Sequence, residues 1–326
     1  MNDTPPSALL DRPEASTALD HLALLVVRGA DARSFLDSQL TRNVPEAAPA
    51  GAAAPASLAG YCSPKGRLLA SVVLWSEGDA ISMLLSRDIA DTIAKRLRMY
   101  VLRAKVTLDD VSASSAFRGT MDPPDLPASV AALAPWTALR SGDRTWVRYP
   151  DVSTQKRYLR IGPSDPAADE PDGVVEAAFW RWLDIRSGLP RITTGTQDRF
   201  VPQMLNLEAL GAVDFRKGCF PGQEIVARSQ YLGKLKRRMA LASTAGSITP
   251  PAPGTDVWTA GEREASGLVV NAERGLDGRI ALLVELPLAL FASTELRVGS
   301  IAGAPLTLEP LPYALPDNEV FVRPKL

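Results

Sequence analysis

The residues best equipped for chemistry stand together as Arg216-Lys217-Gly218-Cys219-Phe220-Pro221-Gly222-Gln223-Glu224, running on to Ala227-Arg228. Gly218 and Gly222 free the backbone on both sides of the cysteine, and Pro221 restricts Phe220 to extended geometry. This spacing predicts a thiol on a tight, defined turn. Arg216 and Lys217 are nearby cations that favour the thiolate, the form that attacks electrophiles or binds a soft metal. Glu224 and Arg228 share a face if a helix begins here. The plainer alternative makes Cys219 a small buried hydrophobe between ordinary turn glycines.

Composition limits the other options. The second cysteine, Cys62, is far away in sequence, so neither a disulfide framework nor a paired CxxC site is available. The single histidine, His21, excludes a His-rich metal centre, and no metal site is expected; any chemistry falls to cysteine or carboxylates. The 36 basic and 37 acidic residues leave a net charge of −1, which provides no global field for nucleic acid. A local cluster, Lys234, Lys236, Arg237 and Arg238, lacks interleaved aromatics and reads as a solvated strand entry, so direct nucleic-acid binding is not expected. No apolar run reaches the roughly 18 residues of a membrane span. Met1 to Asp20, with Asp3, Asp11, Glu14 and several prolines, fits neither a signal nor a transit peptide; it reads as a mobile tail on a cytoplasmic protein.

The elements that must position the cysteine segment follow from periodicity. Leu22–Val27 reads as a strand, Asp31–Leu40 as a helix, and Pro45–Gly60 as an Ala/Pro/Gly-rich loop. Arg67–Trp75 and Ala80–Leu85 read as a hairpin, Asp88–Tyr100 as an amphipathic helix and Val101–Leu108 as a strand. Thr145–Ile161 contains strand-like runs, and Val174–Ser187 a helix whose Trp180 and Trp182 are expected to anchor a core. From Lys234 onward, short β runs alternate with Gly/Pro turns, the texture of a small barrel. The expected organisation is a tail over 1–19, an α+β region over 20–240 and a C-terminal β-barrel domain over 241–326.

The segment Lys217 to Glu224 resembles the K-G-C-[FY]-x-G-Q-E signature of the YgfZ family of folate-binding proteins, within the glycine-cleavage T-protein superfamily. Gly60 to Leu69 resembles that family's earlier Lys-Gly motif through Lys65 and Gly66, and Gln39-Leu40-Thr41 its Q-x-T element. Asp184-Ile185-Arg186 with Gly188 and Pro190, then Val201-Pro202-Gln203 and Asn206, resembles the run leading into the cysteine. Gly233 to Arg238 and Leu311-Pro312-Tyr313 fit as well, so the likeness extends over roughly residues 20 to 315. Asn43 departs from it, standing where relatives usually have Asp.

The resemblance implies a T-protein-like cloverleaf of two interlocked α+β units around a central folate channel, plus a β-barrel. By analogy tetrahydrofolate or a derivative would draw on Gln39, Thr41, Tyr61, Arg186, Gln203 and Asn206, whose side chains suit a pterin edge and a glutamate tail. Lys217, Gly218, Gly222, Gln223, Glu224 and Arg228 would support Cys219. Laying the T-protein's early motif over Lys65 to Trp75 puts Leu69 and Ala70 at its paired aspartates, and no Asp or Glu lies between Glu46 and Glu77. Without an ionisable group at the pterin, acid-base help worth roughly 100-fold or more is missing. The resemblance therefore implies an accessory protein that supports assembly or repair of iron-sulfur clusters in client enzymes or with assembly proteins, affecting tRNA modification indirectly. The alternatives are a folate-dependent aminomethyl transferase or demethylase and, third, a direct tRNA-binding protein.

Overall fold

The structure, a computed structural model, describes residues 15–316 apart from 50, 122–125, 154, 165–176, 232–234, 246–248 and 294. Most of the anticipated tail, together with Gly233 and Lys234, lies outside the described residues. The chain forms two compact units: Met1–Phe35, Val44–Ser57 and Val73–Leu183 make unit 1, and Leu36–Asn43, Leu58–Val72 and Asp184–Leu326 make unit 2. Its described helices are α1 (Ala32–Asp37), α2 (Arg87–Val101), α3 (Ala128–Ala131), α4 (Ala177–Arg186) and α5 (Gln223–Tyr231).

In unit 1 the strand Leu22–Arg28 is flanked antiparallel by Ala80–Ser86 and Thr107–Asp110, with Val73–Glu77 beyond Ala80–Ser86. A second antiparallel run passes from Ala15–Ala18 through Ser115–Met121, Gln155–Pro163 and Arg144–Val152 to Thr137–Ser141. Trp180 and Trp182 are buried as expected; the ring of Trp180 meets Tyr149 edge-on at 5.5 Å, and that of Trp182 stacks on Phe179 at 5.5 Å. Amphipathic α2 turns Ile89, Ile93 and Leu97 inward, and each such burial contributes about 1.5–3 kcal/mol.

Three expectations need correction. The anticipated tail does not extend through residue 19, because Ala15–Ala18 is a strand paired antiparallel with Arg118–Met121. The Ala/Pro/Gly-rich stretch is not loop throughout, because Ala54–Cys62 is a strand. Low β propensity is overridden there by burial and by backbone pairing of Ala54–Pro55 with Thr137–Ala138. Val101–Leu108 is not one strand: the chain turns after α2, and extended pairing begins only at Thr107.

Unit 2 contains a seven-stranded antiparallel sheet ordered Ala304–Pro305, Leu296–Val298, Asp256–Thr259, Gly267–Arg274, Ile280–Pro287, Arg237–Thr244 and Thr307–Glu309. Its two edge strands are separated in sequence by Leu306 alone, so they lie within roughly 7 Å where the chain passes between them. The sheet must therefore curl back on itself, forming the β-barrel that the Gly/Pro-punctuated texture predicts. Val257, Val269, Leu282, Val284 and Leu296 fill its interior.

Candidate functional site: the Cys219 turn

The cysteine segment is built on backbone ties within unit 2. The Asp214 amide donates to the Thr41 carbonyl at 2.9 Å, and the Arg216 amide to Asp214 Oδ1 at 2.9 Å. Lys217, nearly buried, donates from Nζ to the carbonyls of Asp37 and of Leu40, the latter at 2.7 Å, where the helical turn leaves acceptors unused. The same ammonium lies 5.2 Å from the centroid of the buried Phe220 ring. Burial lowers the pKa of Lys217, while Asp37, Asp214 and the negative form of Cys219 pull it back up.

Lys217 and Phe220 thus pin both sides of Cys219 inward while Cys219 itself is exposed. This decides between the two sequence readings of the residue: the thiol is not a buried hydrophobe. Cys62 is one, and desolvation pushes its thiol up to about 12. Helix α5 begins directly after the turn, carrying Glu224 in its first turn and Arg228 in its last, the polarity its dipole favours.

Gly222 explains why the turn needs glycine. Its φ is +78°, and an added Cβ would stand 2.5 Å from the N and Cα of Gly66 and from the Ser63 carbonyl oxygen. Gly66, at φ +70°, closes its own turn by donating to the Ser63 carbonyl at 2.8 Å. The Lys65-Gly66 element and the cysteine segment, far apart in sequence, are therefore in direct backbone contact. Ser63 is held in turn by a 2.8 Å hydrogen bond to Asp198 Oδ1.

The residues expected to meet folate have diverse surroundings. Thr41 donates to the Ala212 carbonyl at 2.7 Å and accepts from the Gly60 amide at 2.7 Å, fully buried. Asn206, left-handed at φ 58°, donates to the Met239 carbonyl at 2.8 Å and accepts from Arg238 at 3.2 Å. Arg186 is ion-paired with Glu309, and Tyr61 is buried beside a backbone bridge to Leu40. Gln39 and Gln203 differ: each amide nitrogen has a partner, Ser38 Oγ at 3.2 Å and the Val226 carbonyl at 2.7 Å, but each Oε1 is buried without a donor.

Of three neighbours of these residues, Arg238 and Tyr313 lie in stretches that the family resemblance marks, and Glu208 carries no sequence signal. Glu208 bonds Arg238 at 2.6 Å, and its other oxygen, Oε2, is buried without a donor. Tyr313 donates to the Gly188 carbonyl at 3.0 Å, and burial pushes its phenol up to about 12. The separations along the chain are too long for any periodic pattern. The anticipated basic strand entry is largely neutralised, Arg237 by Glu285 and Arg238 by Glu208.

The chain is 32% identical over 332 residues to the tRNA-modifying protein YgfZ of Edwardsiella ictaluri, covering 97% of each. The chain belongs to the YgfZ family. The tRNA-modifying protein YgfZ of Vibrio vulnificus is 31% identical over 318 residues, covering 93% of this chain and 94% of its own. No family model matches. Among solved structures, the glycine cleavage system aminomethyltransferase T of Bartonella henselae superposes with a TM-score of 0.66 over 94% of this chain and 88% of its own, at 15% identity. That likeness establishes the fold: an α+β protein of T-protein type, as expected from the family resemblance. No helix among the described residues is long and apolar enough to cross a membrane.

Proposed function

We propose that this member of the YgfZ family binds a reduced folate and uses Cys219 to support assembly or repair of iron-sulfur clusters in client enzymes, so that its effect on tRNA modification is indirect. The observation that carries the reading is an exposed thiol fixed on a turn that is pinned from both sides, in a family whose relatives are named as tRNA-modifying. Thiolate is a natural ligand for iron-sulfur species. Among the described residues, no three His, Cys, Asp or Glu side chains converge to hold a metal. Cys219 would therefore take one coordination position on a cluster whose other ligands belong to the client.

The folate half rests on fit. The buried Oε1 atoms of Gln39 and Gln203 lack donors, and the amino and ring N–H groups of a pterin are donors of the matching kind. A bound reduced folate supplies one-carbon chemistry. Thr41 and Asn206, already committed to backbone, would hold the surrounding segments in place, and Arg186 would have to leave Glu309 to clamp a glutamate tail. The stretch from Ala47 to Ser76 provides no carboxylate for proton transfer, which favours a carrier over a transferase.

Calorimetric titration with tetrahydrofolate tests the pocket. Saturable binding that survives Cys219→Ala and weakens at least about tenfold in Gln203→Leu is expected, since a ligand donor left without its acceptor is costly. Absence of binding to any reduced folate would overturn the pocket. In a strain lacking the gene, wild type but not Cys219→Ala should restore client cluster occupancy; rescue by the alanine variant would overturn the role of the thiol.

A further inference from the structure

One surface of unit 1 has properties that neither folate nor thiol chemistry uses. Met99, Tyr100 and Leu102, at the end of α2, are 65%, 41% and 86% exposed, and they make up half of the large exposed hydrophobic side chains among the described residues. Between Asp91 and Asp109 the chain has no carboxylate but has Lys95, Arg96, Arg98, Arg103 and Lys105. Lys95 is drawn back to Asp91 and Arg98 to the Leu108 carbonyl. The Arg96 guanidinium lies 5.9 Å from the Tyr100 ring, and Arg103 and Lys105 have exposed side chains.

The backbone makes the exposure of Leu102 more informative. The Ala104 amide donates to the Val101 carbonyl at 2.8 Å, closing a four-residue turn, and Leu102 has φ 46° and ψ −104°. These angles are close to the first central position of a type II′ turn, where positive φ selects glycine. Folding alone would place glycine there. A leucine held in that conformation with its side chain in water contributes nothing to the core of unit 1.

We infer that Arg98–Lys105 is a docking knob for a partner protein that presents an apolar cleft rimmed by carboxylates. Tyr, Met and Arg are the side chains enriched in the centres of protein interfaces, and the flanking cations steer an acidic partner. A nucleic acid would use the cations and Tyr100, but Met99 and Leu102 offer its phosphates and base edges nothing.

The test places a benzophenone-bearing photocrosslinking residue at position 99 of the full chain in cells of the source organism. The crosslinked protein is then purified and titrated against the intact wild type, Leu102→Gly and Arg103→Glu. Both variants should unfold within about 3 °C of wild type, because neither side chain is packed and glycine suits the turn. Expected are one crosslinked protein partner, binding that weakens as salt rises, and affinity reduced about tenfold or more in both variants. Crosslinking to RNA alone, crosslinking to a second copy of this chain, no crosslink, or a partner that binds both variants as it binds wild type would each overturn the inference.

Discussion

Two polar clusters of unit 2 behave oppositely. Asn206, Glu208, Arg238 and Tyr313 spend their hydrogen bonds largely on one another and on neighbouring backbone. In the Lys217–Glu224 segment, Lys217 and Phe220 are drawn inward, and the cysteine between them is left facing solvent. Both contain residue types that suggest a site. The difference lies in where the polar capacity is used: in the first cluster it holds the entry to the barrel together, and in the second it fixes a turn on which one thiol stays exposed.

The first cluster should therefore give the larger loss of stability. Glu208→Ala leaves the buried Arg238 guanidinium without its carboxylate, and a loss of about 3–5 kcal/mol in urea unfolding is expected. Burial holds the Glu208 carboxyl above its ordinary 4.5, against the opposing pull of Arg238. The folded chain then keeps this proton at pH values where the unfolded chain has released it. Its contribution to stability is fully present below about pH 4.5 and is lost as pH rises through the folded value. The stability difference between wild type and Glu208→Gln should thus fall with rising pH across that window. A difference that rises would mean that the ion pair outweighs burial.

Lys217→Met sharpens the comparison from the other side. It strands the Asp37 and Leu40 carbonyls, and a loss of about 1–3 kcal/mol is expected. Unlike Glu208→Ala, it should also disorder the Cys219 turn in the folded protein, which amide exchange between Asp214 and Gln223 would report. Unchanged exchange there would show that the Gly222–Gly66 contact alone fixes the turn.

How much was legible in the sequence follows the same division. The Cys219 turn could be read because its determinants are local: two glycines, a proline and a following helix start all fall within nine residues. Strands with alternating or continuous apolar runs, such as Leu22–Arg28 and Ile280–Pro287, were equally plain. The strand Ala54–Cys62 was not, because alanine and glycine carry no β signal until partners on both sides enclose them. Nor was the Glu208–Arg238 pair, a carboxylate and a guanidinium 30 positions apart that no period connects. Gln39 and Asn206 look alike in sequence, yet only the fold distinguishes an amide with an unused oxygen from one fully engaged.

The smallest effect on stability should come from the residue most important to the proposal. Cys219 is exposed, so Cys219→Ala should change unfolding by no more than about 0.5 kcal/mol. Its chemistry should nevertheless separate cleanly from that of Cys62. With a thiol pushed up to about 12, Cys62 has a thiolate fraction of roughly one in ten thousand at pH 8, and its sulfur is buried as well. Iodoacetamide at pH 8 should therefore label one thiol per folded wild-type chain and none in Cys219→Ala, with the second thiol appearing only on unfolding. Labelling of the folded alanine variant would mean that the strand carrying Cys62 opens to solvent. The contrast between an exposed thiol on a turn and a buried core thiol would then fail at its simplest point.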